Sequence, residues 1–234
     1  MIKSDIRNNI KNNIKNNVEE IQAKIVSAAQ KSGRNPKNIK LVGVTKNIEL
    51  TRVQELVEAG VEILGENRVQ EFLPKYDVFP STLWHFIGHL QSNKVKFIVD
   101  KVDLIHSVDS LSLAQEINRH ATKNNITVNI LAEINIANED SKFGFKPEEI
   151  FNFVESLQTM PQISLKGLMC VAPFVENAEE NRPHFTNMRK LLLDIQEKYQ
   201  YHHICELSMG MSGDFEIAIE EGSTMIRIGT LLFR

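Results

Sequence analysis

Cysteine is scarce in this chain of 234 residues, which contains Cys170 and Cys205 and no others. Both stand in apolar surroundings typical of strands, and their spacing matches neither a disulfide framework nor a metal-binding motif. We therefore expect no structural or catalytic metal. A chain without a disulfide framework is typical of a reducing compartment, so we expect a cytoplasmic protein.

Long hydrophobic runs and an excess of one charge are also missing. No apolar run is long enough to span a bilayer, and the polar N-terminus lacks the apolar core of a signal peptide. The net charge is −3, so no broad basic field predicts nucleic acid or an anionic membrane as a partner. With 42% hydrophobic residues, the chain can bury one sizeable core.

The first 33 residues predict a helix with one apolar face. Isoleucine and valine recur there every three or four positions, at Ile6, Ile10, Ile14, Val18, Ile21 and Ile25. The asparagines and lysines between them are expected to form a solvated face. Gly33 and Pro36 are expected to end the helix.

From residue 40 onward, short apolar runs alternate with amphipathic segments. The runs that predict strands are 40–45, 61–64, 83–87, 103–107, 127–134, 164–170, 204–208 and 224–228. The helical segments are 49–59, 67–76, 91–99, 110–123, 147–157, 177–199 and 213–221. Eight strands alternating with helices predict an α/β fold, a single (β/α)8 TIM barrel rather than an open doubly wound sheet.

The same pattern predicts how the chain is organised as a whole. Too few residues follow the last strand for an eighth crossover helix, so the helix of residues 1–33 is expected to fill that place in the outer ring. We see no linker, and expect residues 1–234 to form one domain. No exposed apolar stripe is left after the helices are assigned, which favours a monomer.

Lys46 directly follows the first predicted strand. The carboxyl end of a barrel strand faces the region where such folds carry out chemistry. A desolvated lysine loses its proton more easily, and the neutral amine forms a Schiff base with an aldehyde. The alternative is that Lys46 only extends into solvent at the end of a strand.

Two loops at the last strands predict a phosphate site. The loops after strands seven and eight commonly bind phosphate in this fold. Ser208 to Gly213 (sequence SMGMSG) is small and rich in hydroxyl groups, and Gly229-Thr230 offers further N–H and hydroxyl donors. The alternative is ordinary helix capping by Ser212 or Asp214, with the glycines serving turns.

Arg227 lies inside the apolar last strand, where a guanidinium needs an acceptor. One acceptor is the neutral ring nitrogen of a heterocyclic ligand; the alternative is a salt bridge with Glu133 or Glu206. A lysine for an aldehyde, a phosphate loop and an arginine for a ring nitrogen together describe pyridoxal 5′-phosphate (PLP). A barrel enzyme that uses Lys46 as a base on a phosphorylated metabolite stays open as another interpretation.

Longer motifs lead to a known family. The sequence resembles the YggS/PROSC-type PLP-binding proteins, which are PLP homeostasis proteins related to the N-terminal barrel of alanine racemase. The resemblance covers residues 41–233 and is carried by the segments VGVTK (42–46), GENRVQE (65–71), WHFIGHLQSNK (84–94), SMGMSGD (208–214) and IRIGT (226–230).

This resemblance implies that PLP forms a Schiff base with Lys46. It implies phosphate contacts for Ser212, Gly229 and Thr230, and places Arg227 at the pyridine nitrogen. The residues that it implies as further pocket lining are Asn67, His85, Ser208 and Met209. Cys170 stands where a small residue is common, which makes its thiol a candidate to face the pocket. The alternative, which we favour, is that Cys170 is a small buried hydrophobic residue.

The resemblance implies a role in intracellular PLP (vitamin B6) homeostasis without substantial turnover, and apo forms of PLP-dependent enzymes are candidate recipients. An arginine at the ring nitrogen favours the unprotonated ring and weakens carbanion stabilisation. The alternative is an amino-acid racemase, which needs a second acid/base group opposite Lys46. The tyrosines Tyr76, Tyr199 and Tyr201 fall in helices or at helix ends, which leaves His85 and Cys170 as substitutes.

Overall fold

Eight parallel strands close into a barrel in the order β1 to β8, which confirms the predicted (β/α)8 fold. The computed structural model describes residues 2–139 and 142–234, with only the backbone described before residue 13. The strands are β1 (Lys40–Val44), β2 (Ile63–Glu66), β3 (Leu83–Phe86), β4 (Leu104–Val108), β5 (Val128–Glu133), β6 (Ile163–Met169), β7 (Glu206–Ser208) and β8 (Met225–Ile228). Strand β1 pairs with both β2 and β8, which closes the barrel.

The outer ring consists of α1, which precedes the first strand, and of helices that follow the strands. They are α1 (Ile2–Lys31), α2 (Leu50–Glu58), α3 (Val69–Val78), α4 (Leu111–Asn124), α5 (Ile150–Ser156), α6 (Arg182–Tyr199), α7 (Phe215–Glu220) and α8 (Thr230–Phe233). A 3-10 helix, Ser92–Phe97, takes the place of an α-helix between β3 and β4. None of the described helices is long and apolar enough to cross a membrane.

Helix α1 fills the gap that the short α8 leaves in the ring. It contacts α7, α8 and α2. The apolar stripe that was predicted from the sequence faces inward, because Ile14, Val18, Ile21 and Ile25 are all buried. The side chains of Ile6 and Ile10, which belong to the same predicted stripe, lie outside the described residues.

One asparagine of α1 departs from the predicted solvated face. Asn17 is buried, and its Nδ2 donates to the carbonyl oxygens of Leu232 (3.1 Å) and Arg234 (3.2 Å). The last carbonyl groups of a helix have no partner within that helix. Asn17 therefore anchors α8, whose first residue is Thr230, to the N-terminal helix.

Replacing Asn17 by alanine is expected to lower the free energy of unfolding by about 1–2 kcal/mol, because a buried carbonyl group loses its donor. Asn16→Ala is the matched control, since the neighbouring Asn16 side chain is exposed. Urea unfolding of both variants measures the difference. Equal stability of the two variants would contradict the anchoring role of Asn17.

The barrel interior changes from apolar to polar along its axis. An inner cluster is formed by Val42, Ile63, Leu104, Leu131, Met169 and Met225. The interior polar residues lie further along the strands. Arg227 comes two positions after Met225 on β8, and His106 comes two positions after Leu104 on β4. Because alternate residues of a strand share a face, both polar side chains point into the barrel. Inside the barrel, a polar layer therefore lies next to the apolar layer, on the side of the carboxyl ends of the strands.

Candidate cofactor site

A cavity of about 650 Å³ opens at the carboxyl ends of the strands. This volume is typical of small-molecule sites. Six of the nine residues predicted from the sequence line it: Lys46, Asn67, Ser212, Arg227, Gly229 and Thr230. The fold therefore brings residues from strand ends β1, β2, β7 and β8 into one site.

The other three predicted residues do not line this cavity. His85 and Ser208 are buried and belong to a hydrogen-bonded chain that leads to Arg227. The Met209 side chain is fully buried in the hydrophobic cluster between the barrel and its helices. Alternation of side chains explains the difference, because Met209 directly follows the inward-facing Ser208 and so points outward.

Of the two interpretations of Cys170, the structure supports the small buried hydrophobic residue and not the thiol that faces the pocket. Cys170 is fully buried, and its side chain packs in the hydrophobic cluster outside the barrel. Burial raises the pKa of this thiol to about 12, so it stays protonated at neutral pH. Its backbone carbonyl nevertheless takes part in the site by accepting a hydrogen bond from Arg227 (2.8 Å).

Lys46 lies in the turn after β1, one residue beyond Thr45, and its exposed side chain lines the cavity. The next residue, Asn47, has a φ of 58°, in the left-handed region that asparagine tolerates better than most residues. The Asn47 N–H donates to Glu71 Oε2 at 2.7 Å, which secures the turn. The lysine amine is thus accessible while its backbone is held.

A buried ion pair holds the other side of this turn. Lys75 of α3 pairs with the fully buried carboxylate of Glu66, at the end of β2. The same ammonium donates to the carbonyl oxygen of Thr45 (2.6 Å), and the Thr45 hydroxyl donates to Glu66 Oε1 (2.6 Å). Both charged groups of the pair therefore contact Thr45, the residue immediately before Lys46.

The loops after β7 and β8 present free donors to the cavity. The backbone N–H groups of Ser212, Gly213, Gly229 and Thr230 donate to no acceptor within the described residues. All four of these residues line the cavity together with Lys46. Convergent amide N–H groups with nearby hydroxyls favour an anion such as phosphate.

Two buried polar side chains, Asp214 and Asn181, hold the loop after β7 in place. Asp214 Oδ1 accepts from the Met211 N–H (2.7 Å), and its Oδ2 accepts from Asn181 Nδ2 (2.8 Å). Gly210 has a φ of +94° and its carbonyl oxygen accepts from the Arg227 N–H (3.0 Å). This glycine allows the chain to turn sharply and ties the β7 loop to β8. Asp214 stands at the N-cap position of α7, but its side chain makes no capping hydrogen bond to that helix. The helix-capping alternative therefore accounts for neither Asp214 nor Ser212.

Arg227 is buried at the floor of the cavity. Its Nη1 donates to Ser208 Oγ (2.6 Å) and its Nη2 donates to the Cys170 carbonyl oxygen. The alternative of a salt bridge is wrong for the described residues: Glu206 pairs with Lys40, and Glu133 lies beyond ion-pair distance of Arg227. The guanidinium therefore keeps its charge without a carboxylate partner in contact.

Glu133 is the last residue of β5, and its carboxyl group interacts electrostatically with Arg227 and Asp109. Burial, together with the Asp109 carboxylate, raises the pKa of Glu133 to about 7, and the Arg227 guanidinium opposes this rise. The folded protein therefore holds a proton on Glu133 more tightly than the unfolded chain does.

This proton predicts how stability depends on pH. Between the ordinary pKa of 4.5 and the folded value of about 7, the folded state binds more protons at Glu133 than the unfolded state does. The contribution of Glu133 to the free energy of unfolding is therefore lost as pH rises through that range. Glu133→Gln is expected to remove this contribution and to be the more stable variant above pH 7. Thermal unfolding from pH 4.5 to 8 measures it, and parallel profiles for the two proteins would contradict it.

The loops after β5 and β6 add residues that sequence reasoning did not assign to the site. Lys142 and Phe174 line the cavity. Lys142 Nζ pairs with Glu139 Oε1 at 2.6 Å, whereas the Phe174 side chain is 98% exposed. No local sequence signal separates Lys142 from other surface lysines. It adds a second lysine to the lining of the cavity.

The residues present fit the cofactor that the sequence predicts. The amine of Lys46 is accessible, the free amides at β7 and β8 suit a phosphate, and Arg227 has N–H groups without partners in the described residues. An aldehyde, a phosphate and an unprotonated ring nitrogen are the groups of PLP that these three elements would contact. When bound, PLP supplies an electrophilic aldehyde and an aromatic electron sink.

Metal binding finds no support within residues 2–139 and 142–234. No group of three or more histidine, cysteine, aspartate or glutamate side chains there is arranged to hold a metal ion. The expected absence of metal remains a prediction, and metal analysis of purified protein tests it.

Comparison with known proteins gives the family. Residues 11–234 match the alanine racemase N-terminal domain family. The pyridoxal phosphate homeostasis protein of Aquifex aeolicus is 44% identical over 212 residues, which cover 90% of this chain and 92% of the relative.

Solved structures agree with this match. A Bifidobacterium adolescentis protein is 34% identical, with a TM-score of 0.90 and 95% of each chain covered. PipY of Synechococcus elongatus PCC7942 with PLP bound is 33% identical, with a TM-score of 0.79, covering 90% of this chain and all of PipY. The chain therefore belongs to the pyridoxal phosphate homeostasis proteins, a family built on the alanine racemase N-terminal domain.

Proposed function

We propose that this protein binds PLP as a Schiff base on Lys46 and serves intracellular PLP homeostasis. The observation that carries the proposal is the convergence of an accessible lysine, four free backbone amides and an arginine without a carboxylate partner on one cavity. The PLP-bound state of PipY, which is 33% identical, supports it.

We further propose that the protein holds the cofactor without substantial turnover. Arg227 disfavours a protonated pyridine, because a pyridinium and a guanidinium repel each other, and this weakens carbanion stabilisation. The three tyrosines do not line the cavity, and the Tyr199 hydroxyl is engaged with the Phe151 carbonyl oxygen and Glu155. A second acid/base group opposite Lys46 is thus not supplied by tyrosine, as a racemase would require.

Three further assignments accompany this proposal. Apo forms of PLP-dependent enzymes are the proposed recipients of the cofactor, and the cytoplasm is the proposed compartment. Both cysteines are free thiols, which supports a reducing environment. The protein is proposed to act as a monomer, and light scattering tests this directly: a dimeric mass would overturn it.

The experiment that tests the function compares PLP with pyridoxal, which lacks the phosphate. Equilibrium dialysis is expected to give tight binding of PLP and binding of pyridoxal that is weaker by at least about a hundredfold, since two or more charge-assisted hydrogen bonds are lost. Equal binding of the two ligands would remove the phosphate assignment. Absence of PLP binding would overturn the proposed function and leave a phosphorylated metabolite as the ligand to test.

Turnover is then tested on the PLP-loaded protein with a panel of amino acids. No racemisation or amino transfer above the rate of free PLP is expected. Conversion of any amino acid well above that rate, with loss of the activity in Lys46→Ala, would replace the carrier function by that of an enzyme.

A further inference from the structure

Four buried polar side chains form a continuous chain below the cavity. Arg227 Nη1 lies 2.6 Å from Ser208 Oγ, which lies 2.9 Å from His106 Nδ1, and His106 Nε2 lies 2.9 Å from His85 Nδ1. These residues come from four strands, β8, β7, β4 and β3. Each of the four residues is at most 5% exposed, so bulk water cannot replace the hydrogen bonds between them.

The direction of these hydrogen bonds follows from their chemistry. A guanidinium only donates, so Ser208 Oγ accepts from Arg227. The Ser208 hydroxyl then needs an acceptor for its own proton, and His106 Nδ1 is its other contact in the described structure. His106 must therefore carry its proton on Nε2 and donate it to His85 Nδ1, which places the proton of His85 on Nε2. The reverse direction would leave the buried Ser208 hydroxyl without an acceptor.

Both imidazoles are neutral in this arrangement. Burial lowers the pKa of His85 to about 3, with a smaller effect from Lys40. Burial likewise lowers the pKa of His106, assisted by the positive charges of Arg227 and Lys40 and by His85. The groups that face Arg227 through this chain are thus polar but uncharged.

A neutral chain has a definite consequence for Arg227. Ser208, at the end of this chain, accepts a hydrogen bond from Nη1 of the guanidinium, and the Cys170 carbonyl oxygen accepts one from Nη2. The two bonds together fix the plane of the guanidinium. A carboxylate in the place of Ser208 would do the same but would neutralise the charge. Because its hydrogen-bond partners are uncharged, no carboxylate in contact compensates the positive charge of Arg227, and its remaining N–H groups are left for the cavity that it lines.

We propose that Ser208, His106 and His85 are positioning residues that hold Arg227 as a charged donor at the cavity floor, and thereby set the preference of the site for an unprotonated ring nitrogen. This inference rests on the proposed function, since the ring is that of PLP. It assigns a role to His85 and Ser208 that does not require contact with the cofactor, and adds His106 to them.

The first test uses the protein without cofactor. Nitrogen-15 NMR of histidine-labelled protein, with the two signals assigned by His85→Gln and His106→Gln, is expected to report the neutral Nε2–H tautomer for both rings at pH 6, 7 and 8. A proton on Nδ1 of His106, or a charged ring at any of these pH values, would overturn the inferred direction and the inference with it.

The second test uses Ser208→Ala, which breaks the chain beside Arg227. The dissociation constant for PLP is expected to rise by about tenfold, the size of one hydrogen bond to a charged group, and the visible absorbance maximum of bound PLP is expected to move. Ser164→Ala is the control, because Ser164 lies at the amino-terminal end of β6, away from the cavity, and this variant should change neither.

The outcomes separate the inference from the function on which it rests. A borohydride-fixed pyridoxyl group on Lys46 of both proteins, with an absorbance maximum and affinity in Ser208→Ala identical to those of the control, would overturn the positioning role alone. No pyridoxyl group on Lys46 of the unmodified protein would instead overturn the proposed function.

Discussion

Replacing Lys46 by alanine is expected to abolish the retention of PLP through gel filtration and the visible absorbance that accompanies it. In the proposed site Lys46 supplies the amine for the covalent bond. Without that bond, PLP held only by phosphate and ring contacts is expected to dissociate during gel filtration. The measurement is the ratio of PLP to protein after gel filtration, determined after alkaline release. The expected ratio falls from near one to background.

Lys142→Ala is the control for this variant, because Lys142 lines the same cavity. It removes a lysine of the same cavity and should keep PLP bound. Retention of PLP by Lys46→Ala together with loss from Lys142→Ala would show that the covalent site has been assigned to the wrong lysine.

Lys75→Met is expected to lower the free energy of unfolding by roughly 3–5 kcal/mol, because it leaves the fully buried Glu66 carboxylate without its counter-ion. It also removes the donor to the Thr45 carbonyl oxygen, so the turn that carries Lys46 is expected to loosen. Urea unfolding measures the first effect. The affinity for PLP, measured at low urea where the variant is folded, reports the second.

The double variant Glu66→Gln/Lys75→Met separates charge from packing. It buries no charge, so most of the lost stability is expected to return, within about 1–2 kcal/mol of the original protein. A double variant as unstable as Lys75→Met alone would mean that packing, and not the unpaired carboxylate, accounts for the loss.

The barrel was predictable because its strands are apolar runs bounded by polar turns, but the ends of strands were not. Strand β2 was expected at 61–64 and lies at Ile63–Glu66. Gly65 and Glu66 look like a turn in the sequence, yet both pair with β3. The Glu66 carboxylate is tolerated in the wall of the barrel because Lys75 compensates its charge, and that partner is nine residues away on a helix.

The site was predictable where a residue is anomalous in its own segment. Lys46 and Arg227 stand out because each is charged at the end of, or inside, an apolar strand. His106 does not stand out, since a polar residue within a strand has many structural explanations and Ser107 beside it is polar as well. Its partners Ser208 and His85 are 102 and 21 positions away, and only the closed barrel brings them together.

The visible spectrum of the purified protein with PLP, before and after borohydride and followed by peptide mapping, tests whether Lys46 carries the cofactor. We expect an imine band that reduction removes, and one pyridoxyl group on the peptide that contains Lys46. No imine band, or a pyridoxyl group spread over surface lysines with Lys46 unmodified, would contradict this expectation.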